Sequence, residues 1–166
     1  GEYHSLPEGK KKRQVQEQLF FYYGLTDRLE IDAQITYLHN YVKQEDLKAH
    51  AHGFADTYIF LRYLLKEEDD FPCTTGLFQI KFPTGKYKNL DENKLGADAL
   101  GNGVYEPGIG MVMSKTLKPF IIHFDAIYTR PLERKIEEVK TLYGQGLNCD
   151  FAVEYLLPKD LILCLN

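Results

Sequence analysis

The sequence predicts an all-β fold, an antiparallel up-and-down β-barrel of about eight strands. Three observations predict it: side chains alternate between apolar and polar along eight segments, the links between segments are alternately short and long, and several segments are long. A period of two residues puts unlike side chains on the two faces of an extended chain. Several segments have the ~9–11 residues of a membrane-crossing strand, against ~5–6 residues in an ordinary globular sheet.

The clearest alternation begins at Leu29, where Leu29, Ile31 and Ile35 fall on one face and Glu30 and Asp32 on the other. The same pattern predicts strands at residues 15–23, 29–41, 55–65, 74–82, 104–114, 120–129 and 147–156, and from 161 onward. Between them we find no convincing amphipathic helix, and residues 132–141 come nearest to one. The whole chain, residues 1–166, is interpreted as one domain.

The links between these strands predict an asymmetric barrel. The short links are residues 24–27, 66–70, 115–118 and 158–160, and the long links are residues 40–53, 85–103 and 130–140. In an antiparallel meander, strict alternation puts every short turn at one end and every long link at the other. Outer-membrane barrels have this asymmetry. Aromatic residues near the strand ends also suit a membrane interface.

Alternation alone does not say which face meets water, but strand length and link asymmetry favour a transmembrane β-barrel with a polar lumen. We therefore predict that the polar face lines a solute path. Two alternatives stay open: a soluble β-barrel that binds an apolar ligand in its interior, and a structural barrel whose loops bind partners. The predicted path residues are Glu30, Asp32, Gln34, Asp56, Arg62, Gln79, Lys81, His123, Asp125, Asn148, Asp150 and Glu154.

Composition gives little reason to expect other chemistry. The formal net charge of −4 does not favour nucleic-acid binding. The basic run Lys10-Lys11-Lys12-Arg13 is interpreted as a solvated loop rather than a binding patch. The spacing of the three cysteines, Cys73, Cys149 and Cys164, does not fit a zinc site, so we expect them to be packing residues.

No residues are predicted to be catalytic, to bind a cofactor or to hold a metal, and the protein is not expected to be an enzyme. His39, His50 and His52, with Glu45 and Asp46 nearby, are interpreted as a polar loop rather than a metal site. His123 and Asp125 are two residues apart on the polar face. We expect them to form a hydrogen-bonded pair rather than a proton relay.

Four phrases of the sequence resemble a known family. They are GLTDRLEIDAQITYLHNY (24–41), LFQIKFPTGKY (77–87), GNGVYEPGIGMVMSKTLKPF (101–120) and FAVEYLLPKDLILCLN (151–166). In this order they resemble the outer-membrane proteins of the meta-pathway of phenol degradation, over most of the chain from about residue 22. The resemblance implies a β-barrel in the outer membrane of a Gram-negative cell, often described as a transporter. Its partners would be the lipid bilayer and a small solute, such as an aromatic or apolar one, and the oligomeric state stays open.

Three features depart from a complete barrel of this kind. Pro107 lacks an N–H for the ladder, so a bulge or a break is expected in the fifth strand. Cysteines are unusual for a barrel assembled in an oxidising compartment. The chain starts within a long external link and stops in mid-strand. We therefore expect it to be part of a larger barrel.

Overall fold

The computed structural model describes residues 10–44, 47–136, 139–141, 143–157 and 161–165. Nearly all of the regular structure in these ranges is β-strand. One short 3-10 helix, Glu92–Lys94, lies in the link between the fifth and sixth strands. The strands are β1 (Lys10–Thr26), β2 (Leu29–Gln44), β3 (Leu47–Phe54), β4 (Thr57–Lys66), β5 (Cys73–Phe82), β6 (Glu106–Leu117), β7 (Phe120–Thr129), β8 (Arg134–Ile136), β9 (Val139–Thr141), β10 (Gly146–Leu157) and β11 (Leu161–Leu165).

The main sheet is antiparallel and follows the chain order. Its strands run β1-β2-β4-β5-β6-β7-β10-β11, and β3 pairs with the C-terminal half of β2. The sheet curls into a half-barrel, and β8 and β9 form a separate two-stranded ribbon. The predicted all-β, up-and-down architecture is confirmed. The connections from β2 to β4, from β5 to β6 and from β7 to β10 all start at the same end of the sheet, as the alternation of short and long links predicts.

All eight predicted strands are present. The strand over residues 120–129 has the predicted bounds, and the predicted short turn at residues 158–160 lies outside the described residues. The first long link was predicted wrongly, because β2 continues to Gln44 and returns as β3. The basic run at the start was also predicted wrongly, since β1 pairs with β2 from Lys10 onward. The basic run carries Lys and Arg in place of apolar residues, and in the hairpin the small Ala49 and Ala51 alternate with Lys and His, so the strong apolar alternation that identifies the other strands is missing.

The segment that came nearest to a helix in the sequence contains β8 and β9 instead. The expected bulge at Pro107 is also absent, since β5 and β6 pair without a register shift from Cys73–Ser114 to Lys81–Glu106. The Pro107 carbonyl accepts a hydrogen bond from Arg130 N (3.0 Å), just past the end of β7. A strand residue directs its N–H and C=O to the same neighbour. The N–H that Pro107 lacks would therefore also face β7, just past the end of the β7 ladder. The hydrogen bonds between β5 and β6 do not need it, so their pairing is intact.

The strand register assigns every side chain to one of two faces, because directly opposed residues of antiparallel strands share a face. The inner face carries Asp32, Phe60 and Gln79 in one row, and the outer face carries Leu61, Phe78 and Ile109 in another. Several polar inner residues are enclosed, among them Asp32, which is only 2% exposed. Apolar outer residues face the surroundings, with Ile109 67% and Phe151 61% exposed. This arrangement is the reverse of a water-soluble protein.

Aromatic side chains on the outer face form two rows at opposite ends of the strands. The short-turn aromatic row comprises Tyr23, Tyr63, Phe120 and Tyr155, and the long-link aromatic row comprises Tyr37, Phe54, Phe82, Tyr105 and Tyr128. Neighbours within a row touch: the ring centroids of Phe120 and Tyr155 are 5.3 Å apart, and those of Tyr37 and Phe54 are 5.2 Å apart. Side chains between the rows are mostly aliphatic.

Within the described residues, no helix is long and apolar enough to cross a bilayer.

Candidate functional site: the polar inner face

The twelve predicted path residues all belong to the inner side of the sheet. Eleven lie on strands in the register of the inner face, and Asp56 lies just before β4 and is buried. Their exposure falls into two groups. Asp32, Asp56, Gln79 and Lys81 are buried, whereas Asn148 and Asp150, near the far edge of the sheet, are exposed. The alternation in the sequence therefore brings these residues together on one surface.

An ion pair between a half-exposed arginine and a buried aspartate lies on the inner face of β2 and β4. Arg62 Nε lies 2.7 Å from Asp32 Oδ2, and Arg62 is also directly opposed to Glu30. The guanidinium therefore pairs with Asp32 and lies across from a second carboxylate. Neither carboxylate oxygen of Asp32 has a partner in hydrogen-bond geometry within the described residues, so its contact with Arg62 is an ion pair only. The cross-strand register accounts for the pair, since residue 62 falls one position from residue 32 along the same face.

A second polar network joins the wall to the link between β5 and β6. Lys81 Nζ contacts Glu106 Oε2 at 2.6 Å, and both side chains are largely buried. With its amide nitrogen turned towards Asp56, Asn102 donates to Oδ2 at 2.9 Å and accepts from Lys81 Nζ at 2.8 Å. The sequence analysis missed Glu106 and Asn102. Glu106 could have been found from the strand register, because it lies opposite Lys81 on β5, but Asn102 lies in a link whose path the sequence does not specify.

The third group of inner charges lies on β7 and β10. Asp125 and Asp150 are directly opposed, and His123 Nε2 lies 3.5 Å from Glu154 Oε1. The expected pairing of His123 with Asp125 is not found, since the His123 contact in the described structure is to Glu154 on the next strand. His123 and Glu154 are diagonal neighbours on adjacent strands, about 7–8 Å apart, and a long glutamate side chain spans that separation. This part of the wall therefore carries more acidic than basic groups.

The link between β5 and β6 folds back against the inner side of the wall. The Asp56 carboxylate accepts hydrogen bonds from Gly85 N at 3.0 Å and Asn102 N at 3.1 Å, which fixes both ends of the link. Midway, Asn40 Nδ2 donates to the Ala97 carbonyl at 2.9 Å. Leu100 packs with the inner residues Leu38 and Ala55. A second small apolar cluster contains Val42, Ala49 and Ala97. The link covers the inner face at its long-link end.

Glycines at the two ends of this link allow a close backbone approach. A Cβ atom on Gly101 would lie 2.3 Å from Asp56 Oδ1, and one on Gly85 would lie 2.9 Å from the Gly101 backbone. Both distances are shorter than a side chain can tolerate. The two strand-proximal ends of the link can therefore pack against each other only because neither residue carries a side chain.

The middle of the link is held by a buried carboxylate, which gives a prediction for pH. Burial alone would raise the pKa of Asp98, but hydrogen bonds from Lys86 Nζ (2.6 Å) and Asp91 N (3.1 Å) hold its pKa below the usual 3.8. Because the pKa is lowered in the folded state, the charged carboxylate stabilises the fold above pH 3.8. This stabilisation is lost as the pH falls through the lowered pKa. We expect the link to loosen in acid below about pH 3.8.

Hydrogen-exchange protection factors of residues 86–98, which correct for intrinsic exchange rates, measure this loosening. Asp98→Asn should lower protection at neutral pH and flatten its dependence on acid, because the titrating group is gone. A wild-type link whose protection stays constant down to the acid unfolding of the strands would contradict the assignment.

Among the described residues, no group of three or more His, Cys, Asp or Glu side chains is arranged to hold a metal ion. His39 and His52 are directly opposed on the outer face, with ring centroids 6.1 Å apart, while Glu45 and Asp46 lie outside the described residues. Cys73 is a half-buried free thiol. Cys149 is a free thiol exposed on the outer face, so the expectation that it packs within the chain is wrong.

No protein-family model matches the chain, and no curated protein is significantly similar to it. The resemblance to the outer-membrane family therefore stays a prediction.

Proposed function

We propose that the protein forms part of the wall of a β-barrel in the outer membrane and that its polar inner face passes or binds small solutes. One observation carries the proposal: the curled sheet encloses its polar face and exposes its apolar face. Exposed apolar area costs about 25 cal/mol per Å² in water, whereas lipid removes that cost. A closed barrel also satisfies every strand hydrogen bond in lipid.

The two aromatic rows support a membrane position. Phe120 and Tyr128 lie eight residues apart on one straight strand, a separation of about 27 Å at ~3.4 Å per residue. A tilt of about 40° shortens this to roughly 20 Å along the membrane normal, near the ~25 Å apolar band of outer-membrane barrels. Aromatic rings favour the two membrane interfaces. Lys115 lies on the outer face at the short-turn end, and its ammonium reaches Glu68 and Asp69 in the adjacent turn rather than lipid.

A half-barrel needs further strands before it can cross lipid. The outer edges of β1 and β11 carry unpaired backbone groups within the described sheet, and such groups are costly in a bilayer. We infer that additional strands close the barrel. The resemblance to outer-membrane proteins of the meta-pathway of phenol degradation supports the same proposal and suggests a small aromatic or apolar solute. On the inner face the rings of Tyr58 and Phe60 stack 6.0 Å apart and offer a flat solute a contact.

The alternative of a soluble barrel with an apolar ligand inside is less well supported. An apolar ligand needs an apolar interior, but the enclosed positions are occupied by charged and amide side chains such as Asp32, Gln79 and Lys81. A soluble barrel would also leave Ile109, Leu147 and Phe151 exposed to water on one continuous face. The outer face is therefore better explained by lipid.

The inner charges predict a preference for cations. On the inner face, Asp125 and Asp150 are opposed without a contacting base among the described residues, whereas Asp32 and Glu106 are paired with Arg62 and Lys81. Negative groups in a narrow, poorly screened lumen lower the barrier for cations. We expect a cation-selective reversal potential in a planar bilayer with a salt gradient. Replacing both Asp125 and Asp150 by Asn should shift this potential towards zero.

Asp27→Asn with Asp70→Asn is the matched control, because it removes the same charge from two exposed short turns. This control should leave the reversal potential nearly unchanged. Anion preference in the wild type, or equal shifts in the two double variants, would show that the inner carboxylates do not line the path. A protein that never enters the bilayer would contradict the proposed function itself.

A further inference from the structure

Beyond the long-link aromatic row, the side chains of the outer face are basic rather than apolar. There, three strands carry a basic face, which we define by the cations Lys11, Arg13, Lys43 and Lys48 and by three histidines. The cations share the outer register, since Lys11 opposes Lys43 and Lys43 opposes Lys48. All four are exposed. The short stretch that the sequence suggested to be a solvated loop is thus one strand of a continuous surface.

His39 and His52 lie between the cations and the aromatic row, and His50 lies level with Arg13. His39 opposes His52, and His50 opposes Tyr41, all on the outer side. Glu17 is the acidic side chain of this face within the described residues, and its Oε1 lies 3.9 Å from His39 Nε2. The four cations therefore greatly outnumber the acid among the described side chains.

A groove crosses the basic face. It has a volume of about 500 Å³ and is lined in part by Arg13, His39, Tyr41, His50 and His52. The other side of the same strands is occupied, since Val42 and Ala49 pack against Ala97 of the inward-folded link. The inner side of these strands is therefore already packed, and the basic side chains lie at the surface. In the proposed function this outer surface faces lipid.

We propose that this basic face binds the phosphate groups of anionic lipids in the leaflet at the long-link end. The inference rests on the proposed function, because the aromatic row sets the depth of the face in the membrane. The polar headgroup region is roughly 5–8 Å thick on each side of the hydrocarbon core. His39 lies two residues beyond Tyr37, and Arg13 and His50 oppose Tyr41, four residues beyond it. At ~3.4 Å per residue and with strand tilt, these positions fall about 5–11 Å beyond the aromatic row, at and just outside headgroup level. Lys11, Lys43 and Lys48 lie two residues further out, about 16 Å beyond the row, and their long flexible side chains can reach back towards the headgroups.

The side-chain chemistry fits phosphate. Arginine can bind two phosphate oxygens at once, and lysine acts as a point charge. An imidazole N–H and a tyrosine O–H can each donate a further hydrogen bond. Cations near an anionic membrane surface attract it and do so less at high salt. A face with four cations, three imidazoles and an adjacent aromatic row therefore matches a phosphorylated amphiphile better than it matches a neutral headgroup.

The test compares two triple variants of the protein in nanodiscs that contain phosphatidylcholine and phosphatidylglycerol. The face variant carries Arg13→Gln, Lys43→Gln and Lys48→Gln. The control carries Lys12→Gln, Lys88→Gln and Lys118→Gln, which remove the same charge away from the basic face. Native mass spectrometry then counts which lipids stay bound. We expect the wild type and the control to retain phosphatidylglycerol preferentially, and the face variant to lose at least about 10-fold of that preference, since each cation contributes appreciably near the surface.

The wild-type preference should also weaken as the salt concentration rises. Equal losses in the two variants, or a wild type that binds the two lipids equally, would overturn this inference and leave the barrel untouched. A protein that does not insert at all would overturn the proposed function and this inference with it.

Discussion

Replacing Ile109 by lysine is expected to destabilise the inserted protein by about 2–4 kcal/mol if the residue lies near the bilayer midplane. Ile109 lies between Phe78 and Tyr128 on the outer face and is 67% exposed. In water, replacing such an exposed side chain usually changes stability by less than about 0.5 kcal/mol. The same substitution therefore gives opposite expectations for a membrane wall and for a soluble sheet. Unfolding by denaturant in lipid vesicles measures the difference.

Gln34→Lys is the control for the introduced charge. Gln34 is half-buried on the polar inner face, where an added cation meets other charged groups rather than lipid. Its cost should be small. If Ile109→Lys and Gln34→Lys destabilise the protein equally, the outer face is not in lipid. A protein that stays monomeric and folded in buffer without detergent would contradict the membrane position more directly.

Most strands of the wall could be predicted from the sequence, because the alternation of apolar and polar residues identifies each strand locally. In β7, Phe120, Ile122 and Phe124 alternate with His123 and Asp125, and the predicted bounds match the structure. Antiparallel pairing then places opposed residues on one face, so twelve predicted path residues converge without any knowledge of tertiary contacts. Local pattern and global register agree here, and this agreement is why the prediction succeeded.

The prediction from the sequence was wrong at the β2–β3 hairpin, where the apolar alternation is weak. The β2–β3 hairpin exposes His39, His50 and His52 on one side, and its other side contacts a distant link. The outer side is rich in His and Lys, and the inner side of β3 presents the small residues Ala49 and Ala51, which give only a weak apolar signal. The hairpin was therefore taken for a loop, although its strand pairing is as continuous as that of the wall.

The inward fold of the link between β5 and β6 could not be predicted for a different reason. Its path depends on contacts between residues far apart in the chain, such as Asn40 with Ala97 and Asp56 with Asn102. An isolated Asp before a strand has no pattern that distinguishes a structural carboxylate from a lumen charge. Asp56 was predicted as a path residue, and in the structure its carboxylate is occupied by backbone N–H groups of the link.

That occupation makes Asp56→Ala the second substitution with a large expected effect. The buried carboxylate accepts from Gly85 N and Asn102 N, so its removal leaves two N–H groups without their partner. Each unsatisfied buried group costs about 1–3 kcal/mol, which gives roughly 2–6 kcal/mol for the closed position of the link. The cost falls on the link and not on the strand ladder, so we expect the link to open while the sheet persists.

Limited trypsin digestion measures the opening, because the link offers Lys86, Lys88 and Lys94 as cleavage sites. Cleavage there should be much faster in Asp56→Ala than in the wild type, and conductance should rise as the link leaves the inner face. Asp56→Asn keeps one acceptor oxygen and should fall between the two. Asp27→Ala, in an exposed turn at the opposite end, is the control for loss of a carboxylate. If the link in Asp56→Ala resists trypsin as well as the wild type does, Asp56 does not hold it. The contacts at Asn40 and Leu100 would then be sufficient to keep the link folded inward.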